Sequence, residues 1–140
     1  MRLMTSVLAA AAALVAGLGP AAAQFPDKPV RIMAPYAPGG NIDVTARIIA
    51  DKLKDVLGVQ VLVENKAGAS GMIGSDVIAR SASDGYNLLV TGMAHSVIPE
   101  LFPQVTFDPV KDFQPISHLG LMPFVLAVHP SVPATDFASF

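Results

Sequence analysis

The sequence contains no cysteine. Structural disulfides, thiolate nucleophiles and cysteine-ligated metals are therefore excluded, and packing alone must stabilise the fold. Charged residues make up only 14% of the chain, and the formal net charge is −2. A mildly acidic chain without a basic stripe is a poor partner for nucleic acid or for an anionic membrane surface. We therefore expect no nucleic-acid partner.

The first 23 residues predict a secretory signal peptide. Arg2 is followed by an apolar run from Val7 to Leu18, and the segment ends in Ala21–Ala23. These are the positive start, apolar centre and Ala-x-Ala end of an exported precursor. A membrane anchor would need about 20 apolar residues, more than this run supplies. We expect cleavage after Ala23 and a periplasmic location, with a net charge of −3 once Arg2 is removed.

The remaining 117 residues alternate β-branched runs with runs of helical period. Strands are predicted at Val30–Ala34, Val59–Val63 and Tyr86–Thr91, and helices at Asp43–Leu57 and from Ile73 towards Arg80. This order is typical of right-handed βαβ units and predicts an α/β fold, a parallel sheet with flanking helices. In the first helix, the buried stripe is expected to comprise Val44, Ile48, Ile49, Leu53, Val56 and Leu57.

After Gly92 the alternation of strand-like and helix-like runs becomes less regular. Four prolines, at 99, 103, 109 and 115, leave room only for short helices. A fourth strand is predicted at Phe124–Val128, and Thr135 is a candidate N-cap for a helix that begins close to the last residue, Phe140.

Three loops follow the carboxyl ends of the predicted strands, at Pro38–Asn41, Gly68–Gly71 and Thr91–Ser96. Ligands of open α/β sheets bind at this edge. Glycines allow the backbone to approach a ligand closely, and the helices that follow present unpaired N–H groups to an anion. One such loop is most simply a tight turn, but two in matching positions favour a binding site for a carboxylate.

Other kinds of site have weaker support. The stretch Gly68–Gly74 lacks a complete G-x-G-x-x-G, and no phosphate-binding G-x-x-x-x-G-K-[ST] is present. No two of the three histidines are spaced to chelate a metal, and neither Ser70 nor Ser96 lies in G-x-S-x-G. Asp43 either complements the dipole of the first helix or accepts a hydrogen bond from a ligand, and the sequence leaves both roles open.

A set of short stretches is shared, in order and with similar spacing, with a known family: Phe25–Arg31, Pro35–Gly40 with Asp43 and Ala46–Arg47, Val63–Gly68, Gly71, Ile73–Gly74, Asp84–Tyr86, His95 and Phe107–Pro115. Together they resemble the Bug family, the extracytoplasmic receptors of tripartite tricarboxylate transporters. The chain departs from the family's usual residues at Asn41, Ile42, Ser70, Met72 and Ile98, so the ligand of a relative does not carry over.

The resemblance implies a two-lobed, type II periplasmic-binding-protein-like fold with its ligand between the lobes. Residues 1–23 would then be the signal peptide, 24–121 the first lobe and 122–140 the start of a truncated second lobe. By position, the implied ligand-binding residues are Pro38, Gly39, Gly40, Asn41 and Asp43 in the first loop, Ala69, Ser70 and Gly71 in the second, and Thr91, Met93, His95 and Ser96 in the third.

The expected function is that of a periplasmic solute-binding protein that captures a small organic acid for a tripartite tricarboxylate-type transporter or a sensing system. Its partners would be the carboxylate ligand and the membrane components of the transporter, with no metal, no cofactor and no enzymatic activity. Two alternatives stay open: a secreted α/β enzyme acting on a small carboxylate, and a non-functional truncated fragment of a receptor.

Overall fold

The computed structural model describes residues 25–134 and 136–140. Its strands are β1 (Val30–Ala34), β2 (Val61–Asn65) and β3 (Asn87–Leu89), and its α-helices are α1 (Asn41–Leu57), α2 (Met72–Ala79) and α3 (Ala94–Leu101). A short 3₁₀ turn, Ala69–Gly71, leads into α2. The predicted signal peptide and its predicted cleavage site after Ala23 lie outside the described residues, as does the candidate N-cap Thr135.

The three strands form one parallel sheet in the order β2-β1-β3. β1 is central and almost wholly buried, as expected of a strand covered on both faces. The chain leaves β1 in one direction through α1 to reach β2, and then crosses back past β1 through α2 to reach β3. Right-handed crossovers in opposite directions place the two helices on opposite faces of the sheet. The predicted α/β fold is confirmed.

The core is built around β1 and the inner face of α1. Ile32 and Ala34 of the strand pack with Ala46 and Ala50 of the helix, and Val90 completes the cluster. Because alanine side chains are short, they let the helix backbone approach the sheet closely. α1 ends as predicted at Gly58, whose backbone is left-handed (φ 69°) and whose N–H donates to the carbonyl of Lys54.

The predicted buried stripe of α1 is partly wrong. Val44, Ile48 and Val56 are 48%, 60% and 81% exposed. The buried face instead follows Ala46 and Ala50, with partly buried Ile42, Ile49 and Leu53 beside them. A search for large apolar residues missed it because the residues closest to the sheet are small.

Other boundaries shift modestly. β2 begins two residues later than predicted, at Val61, and β3 keeps only Asn87–Leu89 of the predicted run, although the Val90 N–H still donates to the Met33 carbonyl at 3.0 Å. After Gly92 the structure forms one helix of eight residues, α3, which contains Pro99. The expectation of only short helices here is confirmed within the described residues.

The predicted strand at Phe124–Val128 is wrong. These residues are exposed and form no strand, with Phe124 91% exposed. A strand requires a neighbour whose backbone completes its hydrogen bonds, and no described strand pairs with this segment. Its apolar side chains therefore remain at the surface.

At the amino-terminal edge of the sheet, residues 25–28 contact Asp84 and Tyr86, which precede β3. The Tyr86 hydroxyl donates to the Asp27 carboxylate (2.6 Å) and accepts from the Asp27 N–H (2.9 Å). Lys28 forms an ion pair with Asp84 and lies over the Tyr86 ring, which also contacts Phe25. In the described part of the chain, no helix is long and apolar enough to span a membrane.

Candidate functional site

A cleft of about 460 Å³ lies at the carboxyl edge of the sheet. Residues after β1, residues after β3 and one residue near the end of the chain form its walls: Tyr36, Asn41, Ile42, Gly92, Met93, Ala94, Val97 and Phe124. Helices α1 and α3 both begin at this cleft. Because all three strands are parallel, their carboxyl ends meet here, as in ligand sites of open α/β sheets.

The lining is uncharged, and its polar side chains already have partners. The Asn41 amide donates to the Met122 sulfur (3.0 Å) and accepts from the Ile42 N–H (2.7 Å). The Tyr36 hydroxyl donates to the Ser70 carbonyl at 3.3 Å. Neither α1 nor α3 has a side-chain N-cap. The hydrogen-bonding capacity left for a ligand therefore comes mainly from backbone N–H groups at the two helix starts, which also carry the positive ends of the helix dipoles.

The buried carboxylate of Asp43 fixes the first loop, Pro38–Asn41, by a hydrogen bond. Its side chain is 4% exposed and accepts from the Gly39 N–H (2.8 Å), the Arg47 guanidinium (3.1 and 2.9 Å) and the Asn65 amide (2.9 Å). These bonds, led by the one from Arg47, lower the pKa of Asp43 from 3.8 to about 2. With four donors in place, the carboxylate is fully bonded within the protein and fixes the position of Gly39, and ligand contact by Asp43 stays a prediction.

Asn65, the last residue of β2, connects this carboxylate to the rest of the loop. Its amide nitrogen donates to the Tyr36 carbonyl (3.2 Å) as well as to Asp43, and its oxygen accepts from Arg47 (3.1 Å). Asn65 thus fixes the backbone before Pro38, at Tyr36, and Asp43 fixes the backbone after it, at Gly39. The first loop is held by a charged hydrogen-bond network.

The second loop is held by backbone conformation instead. Four successive residues, Gly68 (φ 142°), Ala69 (44°), Ser70 (54°) and Gly71 (95°), all have positive φ. In α2, Gly74 packs so closely that an added Cβ would lie 2.6 and 2.8 Å from Pro35 Cβ and Cα, and 2.9 Å from the Lys66 carbonyl oxygen. This close approach sets the second loop beside Tyr36.

The third loop contains a buried hydroxyl without a partner. Among the described residues, Thr91 Oγ1 is the one buried side-chain oxygen or nitrogen that has no hydrogen-bond partner. The next two residues, Gly92 and Met93, line the cleft. Buried polar atoms without a partner are rare and cost free energy, so this hydroxyl is suited to bind a ligand or a water molecule.

His95 is not among the residues that line the cleft. Its ring stacks against Phe107 (5.9 Å between centroids), meets Phe113 edge-on (4.8 Å), and lies 3.2 Å from the Ser75 hydroxyl. Burial lowers its pKa below 6.5, while the Pro109 carbonyl opposes that shift. These contacts hold α3 against α2 and the 107–113 segment.

A family model described as the tripartite tricarboxylate transporter family receptor matches residues 45–140. The protein BugT of Bordetella pertussis is 38% identical over 135 residues, an alignment that covers 92% of this chain and 41% of BugT. The chain belongs to this receptor family. It spans about two fifths of the length of BugT.

Solved structures of the receptor family agree with the fold. The periplasmic binding protein BugD is 39% identical, with a TM-score of 0.63 over 66% of this chain and 31% of its own. MatC of Rhodopseudomonas palustris, solved with bound malate, is 35% identical, with a TM-score of 0.60 over 65% of this chain and 31% of its own. The resemblance to the Bug receptors and the periplasmic-binding-protein fold are both confirmed.

The sequence-predicted site residues fall into three groups in this member of the receptor family. Asn41 and Met93 line the cleft, and Thr91 is the residue immediately before the lining residue Gly92. Those in the adjoining turns are Pro38, Gly39, Gly40, Ala69, Ser70 and Gly71. Ser96 lies in the first turn of α3, where its hydroxyl donates to the Met93 carbonyl. Asp43 and His95 are engaged with other side chains, and ligand contact by His95 stays a prediction.

Sequence reasoning missed most of the apolar wall of the cleft. Ile42, Val97 and Phe124 carry no motif, and only the fold brings them together. Asn65 was also missed as a positioning residue, although it lies in the stretch Val63–Gly68 that carries the family resemblance. No local signal marks its role, because β2 is only partly buried and its partners are distant in sequence.

Proposed function

We propose that this chain is part of a periplasmic receptor that captures a small carboxylate and delivers it to the membrane components of a tripartite tricarboxylate-type transporter or to a sensing system. The observation that carries the proposal is the convergence of the α1 and α3 starts on one uncharged cleft. Helix starts supply N–H donors and partial positive charge, which suit a carboxylate that has no lysine or arginine partner.

The comparisons support the ligand class. MatC, which shares 35% identity with this chain, was solved with malate bound. We propose the same broad class, a small organic acid, for this chain. Export with cleavage after Ala23, leaving Gln24 as the first residue, belongs to the same proposal. Mass spectrometry of a periplasmic fraction should find that amino terminus, and a mature product that retains Met1 would contradict it.

We also propose that the receptor has no enzymatic activity. The Ser75 hydroxyl and the His95 ring lie 3.2 Å apart, a spacing that would suit a nucleophile and its base. Ser75, however, is 0% exposed, and the His95 ring is covered by Phe107 and Phe113. A substrate therefore has no route to the hydroxyl. Ligand recovered after long incubation should be chemically unchanged, and a modified product would overturn this part of the proposal.

Thermal unfolding with acids and their neutral amides tests carboxylate binding. A ligand at 100 times its Kd stabilises the native state by about 2.7 kcal/mol. We expect at least one small organic acid to raise the melting temperature, and its amide to have little effect. Equal stabilisation by acid and amide, or none by any acid, would contradict the proposal.

Gly39→Val and Gly58→Val form a matched pair for the same test. Both glycines have positive φ (83° and 69°), and neither has an atom within 4 Å of an added Cβ, so the backbone strain is similar. Gly39 belongs to the loop before the cleft, whereas Gly58 ends α1 at its far end. We expect both variants to lose stability but only Gly39→Val to lose ligand affinity. Equal affinities would show that the loop does not hold the ligand.

A further inference from the structure

The walls of the cleft are largely apolar. Ile42, Met93, Val97 and Phe124 face it, together with the Tyr36 ring. Three of these side chains are substantially exposed: Met93 at 73%, Val97 at 42% and Phe124 at 91%. Exposed apolar surface on the wall of a concave site gains free energy when a ligand covers it.

We propose that the cleft selects a monocarboxylate with an aromatic or branched aliphatic body over hydroxylated dicarboxylates and tricarboxylates. The inference rests on the proposed function and names its ligand class more narrowly. One carboxylate would lie at the starts of α1 and α3, and the apolar body would cover the wall formed by Val97, Met93 and Phe124.

A second carboxylate would lack a partner in this cleft. None of the eight lining residues is charged. The guanidinium of Arg47, which lies in α1, is already paired with the buried Asp43 carboxylate and bonded to Asn65. When the first carboxylate occupies the N–H groups at the helix starts, a second ionised group would lose hydration without an opposite charge to replace it. A second acid group is therefore selected against.

Ligand hydroxyl groups would also find few partners among the side chains that line the cleft. The side-chain amide of Asn41 is bonded to Met122 and to the Ile42 N–H, and the Tyr36 hydroxyl to Ser70. Ile42 Cδ1 lies 3.5 Å from where a Cβ on Gly92 would be, so an aliphatic side chain reaches from the first loop to the third. The volume of about 460 Å³ is within the range of small-molecule sites and leaves room for a ring beside the carboxylate.

Calorimetric titration of the full chain with phenylacetate, malate and phenylacetamide tests the inference. We expect phenylacetate to bind at least about tenfold more tightly than malate, and phenylacetamide to bind more weakly than phenylacetate. Malate binding as tightly as phenylacetate would overturn this inference and leave the proposed function standing. Failure of phenylacetate to bind would also overturn this inference, whereas the proposed function would be overturned if no small organic acid stabilised the chain. Equal binding of the amide would overturn both.

Val97→Thr and Val44→Thr supply a matched control. Both replace a methyl group with a hydroxyl on an α-helix at similar exposure, 42% and 48%, but Val97 lines the cleft and Val44 does not. We expect Val97→Thr to weaken phenylacetate binding about fourfold, the factor for one buried methyl group, and Val44→Thr to leave it unchanged. Equal effects of the two substitutions would show that the apolar wall does not determine which carboxylate the cleft selects. Circular dichroism confirms that both variants are folded.

Discussion

The two loops beside the cleft are positioned by different physical means. The loop after β1 is held by hydrogen bonds to a buried carboxylate, Asp43, which Arg47 and Asn65 support from the neighbouring helix and strand. The loop after β2 makes no such bonds to a charged side chain among those described. Its shape comes from the run of positive φ at Gly68–Gly71 and from the tight packing of Gly74 on Pro35.

This difference predicts different sensitivities. A loop held by a carboxylate depends on the protonation of that group, and therefore on pH and on partners that can be removed one at a time. A loop held by backbone conformation and close packing is insensitive to pH but intolerant of added atoms. Substitutions at Asp43 test the loop held by a carboxylate, and substitutions at Gly74 and Ser70 test the loop held by conformation and packing.

Gly74→Ala should have the largest effect on stability. The new methyl group would lie within 3 Å of backbone atoms of Pro35 and Lys66, which cannot rotate away as a side chain can. We expect a loss of about 3 kcal/mol in the free energy of unfolding, measured by urea denaturation. Gly120→Ala is the control, because nothing lies within 4 Å of its added Cβ and the change should be close to zero. Equal losses would show that the packing of α2 on β1 is looser than described.

Asp43→Asn should have an intermediate effect that depends on pH. The folded-state pKa of Asp43, about 2, lies below the ordinary 3.8, so the stability from its ionised form is present above pH 3.8. That contribution is lost as the pH falls from 3.8 towards 2. The difference in melting temperature between wild type and variant should therefore shrink over this range.

Asp108→Asn is the control for the first loop. The pKa of Asp108 is also about 2, chiefly because of Lys111 and the N–H groups of Val110 and Lys111, but it lies outside the cleft lining. We expect both variants to lose acid-dependent stability and only Asp43→Asn to lose ligand affinity at pH 7. Full affinity in Asp43→Asn would contradict the positioning role of the carboxylate.

Ser70→Gly should have the smallest effect, and a favourable one. Ser70 has φ 54°, a conformation that costs a residue with a Cβ about 1–2 kcal/mol and costs glycine almost nothing. After the greater flexibility of glycine in the unfolded chain is counted, we expect a gain of about 0.5–1 kcal/mol. Ser96→Gly, within α3, should lose a similar amount. A loss at both positions would contradict strain in the second loop.

Much of the scaffold could be predicted because it follows from local pattern. The bounds of β1 match the structure, and Gly58 ends α1 as expected, since a left-handed C-cap favours glycine. The edge of the sheet that carries the cleft was also predictable, because parallel strands must end together. The small buried face of α1, at Ala46 and Ala50, was not, since hydrophobic periodicity gives weight to large side chains.

The interior of the site depends on contacts between residues far apart in sequence. Asn65 meets Tyr36 across 29 positions, and Asn41 meets Met122 across 81. Neither contact leaves a local signal. The predicted strand Phe124–Val128 illustrates the opposite failure: a strongly apolar run predicts a strand by composition, but strand formation requires a partner that no pattern in the run itself supplies.

The most direct test of the account is an NMR titration of the ¹⁵N-labelled chain with phenylacetate and, in parallel, malate. We expect the ligand to shift the amide signals at the two helix starts, Asn41 to Asp43 and Met93 to Ala94. The signals of Lys28 and Tyr86, at the opposite edge of the sheet, should stay in place. Shifts centred on that opposite edge, or on the separate cavity lined by Val105–Pro109, would contradict it.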